Sequence, residues 1–286
     1  MNSNDLQKQS HFLEKETLFA LKILILLALI LLVLTLVFGV ARLVAPPAEV
    51  PQEELKTDET TADTEVSVNL DELLLRESAD AGMTYIDRMI FLGESTTAHL
   101  RARGVLSGGT DTKQVWQDES GTKHLSSAIT SEMERIVYPE SGESITIAEA
   151  CALEKPEYIV LSFGLNGLQS FIAKKSTYVN NYCKLIRAVQ EASPDTKIIL
   201  QTVYPICDVG NFTEDLDTLN ANILTLNSWL PEIAATFENV RVVDTASVLR
   251  DENNALLPAY DNGDGQHLTA SAYEEILAYL RTHAWQ

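Results

Sequence analysis

Five short runs of large apolar and β-branched residues recur along the chain, at Met89–Leu92, Gln114–Trp116, Tyr158–Ser162, Ile198–Val203 and Val240–Val243. Longer stretches with apolar residues at helical spacing alternate with them. Thr177 to Ala192 is one, stopped by Ser193-Pro194; Leu216 to Phe237 is another; Thr269 to His283 closes the chain, with Thr269 or Ser271 placed to cap it. Alternation of this kind marks strand–helix units that build a parallel sheet, because parallel neighbours need a crossover connection. The reading is therefore an α/β fold, a three-layer α/β/α domain on a five-stranded parallel sheet, over residues 69–286. With 45% hydrophobic residues the chain can fill such a core. No internal repeat interrupts the pattern.

The amino-terminal part obeys different physics. Ile23 to Ala41 is 19 consecutive residues without an ionisable group, flanked by Lys22 and Arg42. As a helix it would be about 28 Å long, close to the ~30 Å of a bilayer's hydrocarbon. A buried core helix is the alternative, but such a helix usually carries a polar stripe and this segment has none. A cleaved secretory signal, ending at Gly39-Val40-Ala41, is a second alternative, although its apolar region is normally only ~7–15 residues long. The expectation is one transmembrane helix over residues 23–41. Lys8, Lys15 and Lys22 precede it, and acidic residues follow Arg42 at a short distance. That bias keeps residues 1–22 in the cytoplasm and the bulk of the chain outside, at the cell membrane. Residues 42–68 then form a stalk: from Ala45 to Val68 there are three Pro and seven acidic residues and few large apolar ones, too little to offset the entropy of ordering.

Charge and cysteine usage exclude several function classes. The chain carries 21 Lys+Arg against 41 Asp+Glu, a net charge of −20, which repels polyphosphate and argues against a nucleic-acid partner. Cys151, Cys183 and Cys207 form no C-x-x-C pair, so neither a disulfide framework nor a thiolate metal site is expected. His11, His99, His124 and His283 lack ligand spacing and read as surface or packing residues. No metal and no organic cofactor are called for.

In an open parallel sheet, ligands bind beyond the carboxyl ends of the strands, and three polar clusters fall at such ends or just before the last helix. Gly93-Glu94-Ser95-Thr96-Thr97 follows the first run; Ser95 there is either a helix cap or a hydroxyl aimed at the mouth of the sheet. Gly164-Leu165-Asn166-Gly167 follows the third; Asn166 serves either the turn or an amide donor pointing into the site. Asp264-Gly265-Gln266-His267 precedes the last helix. A carboxylate three residues before a histidine can hold one imidazole nitrogen and turn the other outward as a base; a solvated turn is the plainer reading. Asp244, at the end of the last strand, reads as a loop-shaping carboxylate.

Taken together, F-L-G-E-S, F-G-L-N-G and D-G-Q-H-L in that order resemble the SGNH hydrolase superfamily, also called the GDSL esterase/lipase family, from about Met89 to Gln286. The resemblance implies a flavodoxin-like sheet and no cofactor. Residue by residue, it implies Ser95 as nucleophile, His267 as general base, Asp264 as the group orienting that base, and Asn166 with the Ser95 N–H as oxyanion donors. A third donor would be the N–H of Gly121, in Glu119-Ser120-Gly121-Thr122, with Gly108 and Gly109 as nearby alternatives. Three departures stand out: Glu94 occupies the usual Asp position, Gly167 the Asp that often follows the Asn, and Ala272 a common Gly. The subgroup it is most similar to is the membrane-anchored or secreted type of Gram-positive bacteria. The implied activity is hydrolysis of acyl esters, O-acetyl groups on cell-surface or extracellular glycans foremost. An O-acyltransferase using the same site, or a non-catalytic surface-binding module, would share these residues.

Overall fold

A computed structural model describes residues 70–125, 135–210 and 212–286, all within one compact unit, Glu65–Gln286. The expected cytoplasmic segment, membrane span and stalk lie outside the described residues, as does His11. Among the described residues no helix is long and apolar enough to cross a membrane.

Five parallel strands form the sheet: β1 (Met89–Gly93), β2 (Val115–Trp116), β5 (Tyr158–Ser162), β6 (Lys197–Gln201) and β7 (Val240–Val243), in the order β2-β1-β5-β6-β7. All five positions of β1 and of β5 are buried, as expected for strands covered on both faces. The period-2 alternation divides their side chains between two cores. Ile159 and Leu161 of β5 join Ile198, Leu200, Val240 and Val242 in one. Tyr158 and Val160 join Met89, Phe91, Ile199 and Val243 in the other. Against the first pack α3 (Ile147–Glu154), α4 (Leu168–Ala173), α5 (Lys175–Ala192), α6 (Leu216–Ser228) and α7 (Leu230–Ala234), through residues such as Cys151, Phe171, Tyr182, Ile186, Leu219 and Ile233. Against the second pack α1 (Met83–Ile86), α2 (Ser95–Ala102) and α8 (Ala270–Thr282), through Ile86, Leu100, Tyr273 and Ile276. The expected three-layer α/β/α architecture is the observed one.

Two local features depart from expectation. A separate antiparallel hairpin, β3 (Arg135–Val137) with β4 (Ser144–Thr146), stands outside the main sheet. The helix expected from Leu216 to Phe237 is two helices, broken at Trp229, with Pro231 in the first turn of α7. A proline cannot donate to the preceding turn and crowds its carbonyl, but costs little at a helix start.

From β1 the chain goes to β2 on one side, then crosses to β5 on the other. The order reverses between β1 and β5, where loops diverge and leave a crevice. Ser95 follows β1 and Asn166 follows β5. The fold thus brings the ends of both strands, and the first two clusters, to one place.

Candidate active site

Gly93, the last residue of β1, touches the next strand. A Cβ there would come within 2.2 Å of Thr97 Oγ1 and 2.4 Å of the Ser162 carbonyl oxygen. Only a residue without a side chain lets β1 lie that close to β5. The chain turns at once into α2, with Glu94 extended as its N-cap residue and Ser95 as its first helical residue. First-turn N–H groups of a helix have no partner within it, and among the described residues the N–H of Ser95 makes no hydrogen bond.

Glu94 ties the two strand ends together. Its side chain points inward and the residue is 3% exposed. The carboxylate accepts from the N–H of Gly164 at 3.0 Å and from that of Asn166 at 3.1 and 3.2 Å. Burial drives this carboxyl up to about 7, and the N–H groups of Gly164, Asn166 and Leu165 offset part of the rise. The same loop is braced from below by two buried tyrosines of α5. Tyr178 and Tyr182 donate to the Phe163 carbonyl at 3.1 and 3.2 Å, and the Phe163 N–H donates to Tyr182 at 3.1 Å. Held this way, Asn166 is half-buried, and its amide makes no hydrogen bond among the described residues.

The third cluster closes over the first. Asp261 accepts from the N–H of Gly265 at 2.8 Å, and the Gly265 carbonyl accepts from the N–H of Cys207 at 2.8 Å, so the loop before α8 is pinned on two sides. Asp264 Oδ1 accepts from the backbone N–H of Gln266 and His267, at 3.0 and 2.8 Å. Its Oδ2 lies 2.7 Å from His267 Nδ1, and His267 Nε2 lies 2.8 Å from Ser95 Oγ. Partial burial pushes the Asp264 carboxyl up, but the hydrogen bonds from His267 and Gln266 outweigh it and hold it at about 2. Asp264 is therefore a carboxylate across the neutral range. Thr269 caps α8, its hydroxyl accepting from the Ala272 N–H, and Tyr273 of α8 donates to the Thr96 carbonyl at 2.5 Å, joining the helix of the histidine loop to that of Ser95.

The structure thus brings Ser95, His267 and Asp264 into one hydrogen-bonded line, with Asn166 tied through its backbone to the residue before Ser95. The N–H of Gly121 is engaged elsewhere. The N–H expected to serve as the third oxyanion donor is donated to the Asp118 carbonyl at 3.0 Å, closing a turn in which Gly121 has φ +78°. Asp118 also gathers the Ser120 N–H at 2.9 Å; the turn satisfies itself. Of the two alternatives, Gly109 donates to the Leu106 carbonyl at 2.9 Å, and Gly108 starts a short 3₁₀ turn. Asp244 bonds Thr202 and Arg250, at 3.1 and 2.8 Å. His283 stacks on Tyr279.

Two residues of the site are missed by motif reading. One is Glu94, noted from sequence only as a departure. The other is His99, read there as packing, whose ring centroid lies 4.5 Å from that of His267. For both, the available signal is position: Glu94 precedes the strand-end serine, and His99 follows it by one helical turn.

Residues 91–275 match the model of the GDSL-like lipase/acylhydrolase family. Solved structures with a similar chain include a carbohydrate esterase family 3 from Talaromyces cellulolyticus, 14% identical over 68% of this chain and 93% of that one, TM-score 0.44. A Clostridium thermocellum family 3 carbohydrate esterase is 14% identical over 68% and 93%, TM-score 0.41. The periplasmic domain of a Salmonella ser. Paratyphi A lipopolysaccharide acetyltransferase is 15% identical over 68% and 82%, TM-score 0.43. No curated protein matches the chain.

Proposed function

The chain belongs to the GDSL-like lipase/acylhydrolase family, a family of carboxylic ester hydrolases, and from that premise we propose a membrane-anchored extracytoplasmic serine esterase that removes short acyl groups, O-acetyl foremost, from glycans. The observation that carries the reading is the unbroken line from Asp264 through His267 to Ser95, at 2.7 and 2.8 Å. In the first step the Ser95 oxygen attacks the ester carbonyl while His267 Nε2 takes its proton. Asp264 holds Nδ1, so the imidazolium that forms faces a fixed negative charge. The tetrahedral oxygen is met by the Ser95 N–H and the Asn166 amide. The alcohol leaves with the proton from His267, and a water activated by the same imidazole then releases the acid.

Acidic residues around the histidine loop, Asp208, Asp261 and Asp264, together with the net charge of −20, favour a neutral or amphoteric glycan over an anionic polymer. Location is inferred from residues 23–41 as a span, residues 1–22 inside, residues 42–68 as the stalk and residues 69–286 as the catalytic domain, in the manner of membrane-anchored Gram-positive members. Acetate release from acetylated sugars and acetylated wall glycan, with and without a sugar acceptor, tests the function. Hydrolysis that is independent of acceptor and falls by at least ~10³ in Ser95→Ala is expected. Turnover unchanged by that substitution sinks the proposal, and acetate passed only to an acceptor would make the enzyme a transferase.

A further inference from the structure

The two hydrogen bonds of the His267 ring leave it near the ends of the line joining its nitrogens, to Asp264 on one side and Ser95 on the other. Such bonds fix where the ring sits but leave it free to roll about that line. A roll is not harmless: the bonding direction of each ring nitrogen lies in the ring plane at a small angle to that line, so rolling swings the Nε2 lone pair off the hydroxyl and misaligns the proton path. Something must press on the face of the ring.

His99 is placed to do so. It lies in α2, four residues after Ser95 and so on the same side of the helix. Its ring is tilted 37° to that of His267 with centroids 4.5 Å apart. Its Nδ1 is buried and has no hydrogen-bond partner, so no bond at that nitrogen fixes the ring elsewhere. Burial, then the charges of His267 and Arg103, lower its pKa from the ordinary imidazole value, against a smaller opposing effect of Asp264. A neutral ring places no second cation beside the imidazolium that forms during acyl transfer.

On the esterase reading above, we infer that His99 is a positioning residue whose ring face stops the His267 imidazole from rolling, so that α2 supplies both the nucleophile and the wall that aims its base. Helix α2 makes the alignment rigid, since the spacing of Ser95 and His99 is fixed by one turn of backbone.

The test compares the full chain with His99→Ala, His99→Phe and Ser95→Ala, using p-nitrophenyl acetate for steady-state kinetics and thermal melts for folding. Misaligning a catalytic group can cost up to ~10² in rate. His99→Ala is expected to lose about tenfold or more in kcat with KM changed less than about twofold, while His99→Phe, which keeps a flat ring, stays within about threefold of the parent. A loss in melting temperature alone would not produce that split or that rescue. Should His99→Ala fail to fold, His99→Leu, which keeps bulk without a flat face, replaces it. The inference is overturned if the truncated variant keeps the parent kcat, if the loss appears in KM, or if His99→Phe is no better than the truncation. Turnover that survives Ser95→Ala defeats the esterase reading and this inference with it; Ser95-dependent turnover with an indifferent residue 99 defeats the inference alone.

Discussion

Two glycine-containing loops stand at the carboxyl ends of β5 and β2, the two strands that flank β1, and the sequence predicts oxyanion donors in both, yet they are held in opposite ways. The loop after β5 is fastened from three directions: Glu94 takes the N–H of Gly164 and Asn166, while Tyr178 and Tyr182 grip Phe163. The loop after β2 leaves a strand of two residues at the sheet edge and folds onto itself, spending the Gly121 N–H on Asp118. The backbone of Asn166 is anchored to Glu94, in the turn that carries Ser95, whereas that of Gly121 is anchored to its own loop. The difference is one of fastening, since both loops carry the residue types the motif asks for.

The sharpest way to break this contrast is to remove the amide on the anchored loop. Asn166→Ala should lower kcat on a short acyl ester by about 10²–10³, with the melting temperature little changed, as for the loss of one oxyanion donor. A loss below about tenfold would mean that the amide does not meet the developing charge.

Next in size is the fastening itself. Glu94→Gln keeps the shape but sets an amide NH₂ among N–H donors; leaving one such group unpaired costs at least ~1 kcal/mol, and kcat should fall about tenfold. The substitution also has a signature in pH. In the fold, burial raises the Glu94 carboxyl from 4.5 to about 7, so the folded protein binds more protons than the unfolded chain between those values. Its contribution to stability is whole below about 4.5 and is lost as pH rises through about 7. Melting temperatures at pH 5 and pH 8 should therefore fall further apart in the parent than in Glu94→Gln, which carries no titrating group there. Equal pH dependence in the two proteins would contradict the assignment. Asp264 acts in the reverse sense: its carboxyl is lowered to about 2, so its share is present above the ordinary 3.8 and disappears as pH falls through about 2.

The smallest effect is expected at the loop that holds itself. Gly121→Ala places a side chain at φ +78° with open space around the new Cβ, a backbone cost of about 1 kcal/mol without a clash. kcat should stay within about threefold of the parent. A fall approaching that of Asn166→Ala would show that the β2 loop turns its N–H toward substrate during the reaction and would erase the distinction between the two loops.

Much of this is legible in the sequence, for reasons tied to particular residues. The strand of Tyr158–Ser162 is an unbroken apolar run buried on both faces, and such runs announce themselves. Ser95, Asn166, Asp264 and His267 stand in short-range patterns that survive without knowledge of the fold. What escaped depends on partners distant in sequence. Glu94 matters because residues 70 and 72 positions later donate to it. His99 matters because a loop beyond position 260 folds over it. The hairpin of Arg135–Val137 and Ser144–Thr146 has three residues per strand, too few for a periodic signal. The break at Trp229 lies beside Pro231, while the apolar spacing runs on through it and so carries no sign of the break.

The central claim is that Ser95 carries a hydroxyl deprotonated by His267, and covalent trapping tests it most directly. A fluorophosphonate probe applied to the full chain, followed by mass mapping of the adduct, should place one label on Ser95, with labelling slowed by at least ~10² in His267→Asn. A label on another residue, or labelling of Ser95 at the same rate without the imidazole, would contradict the account.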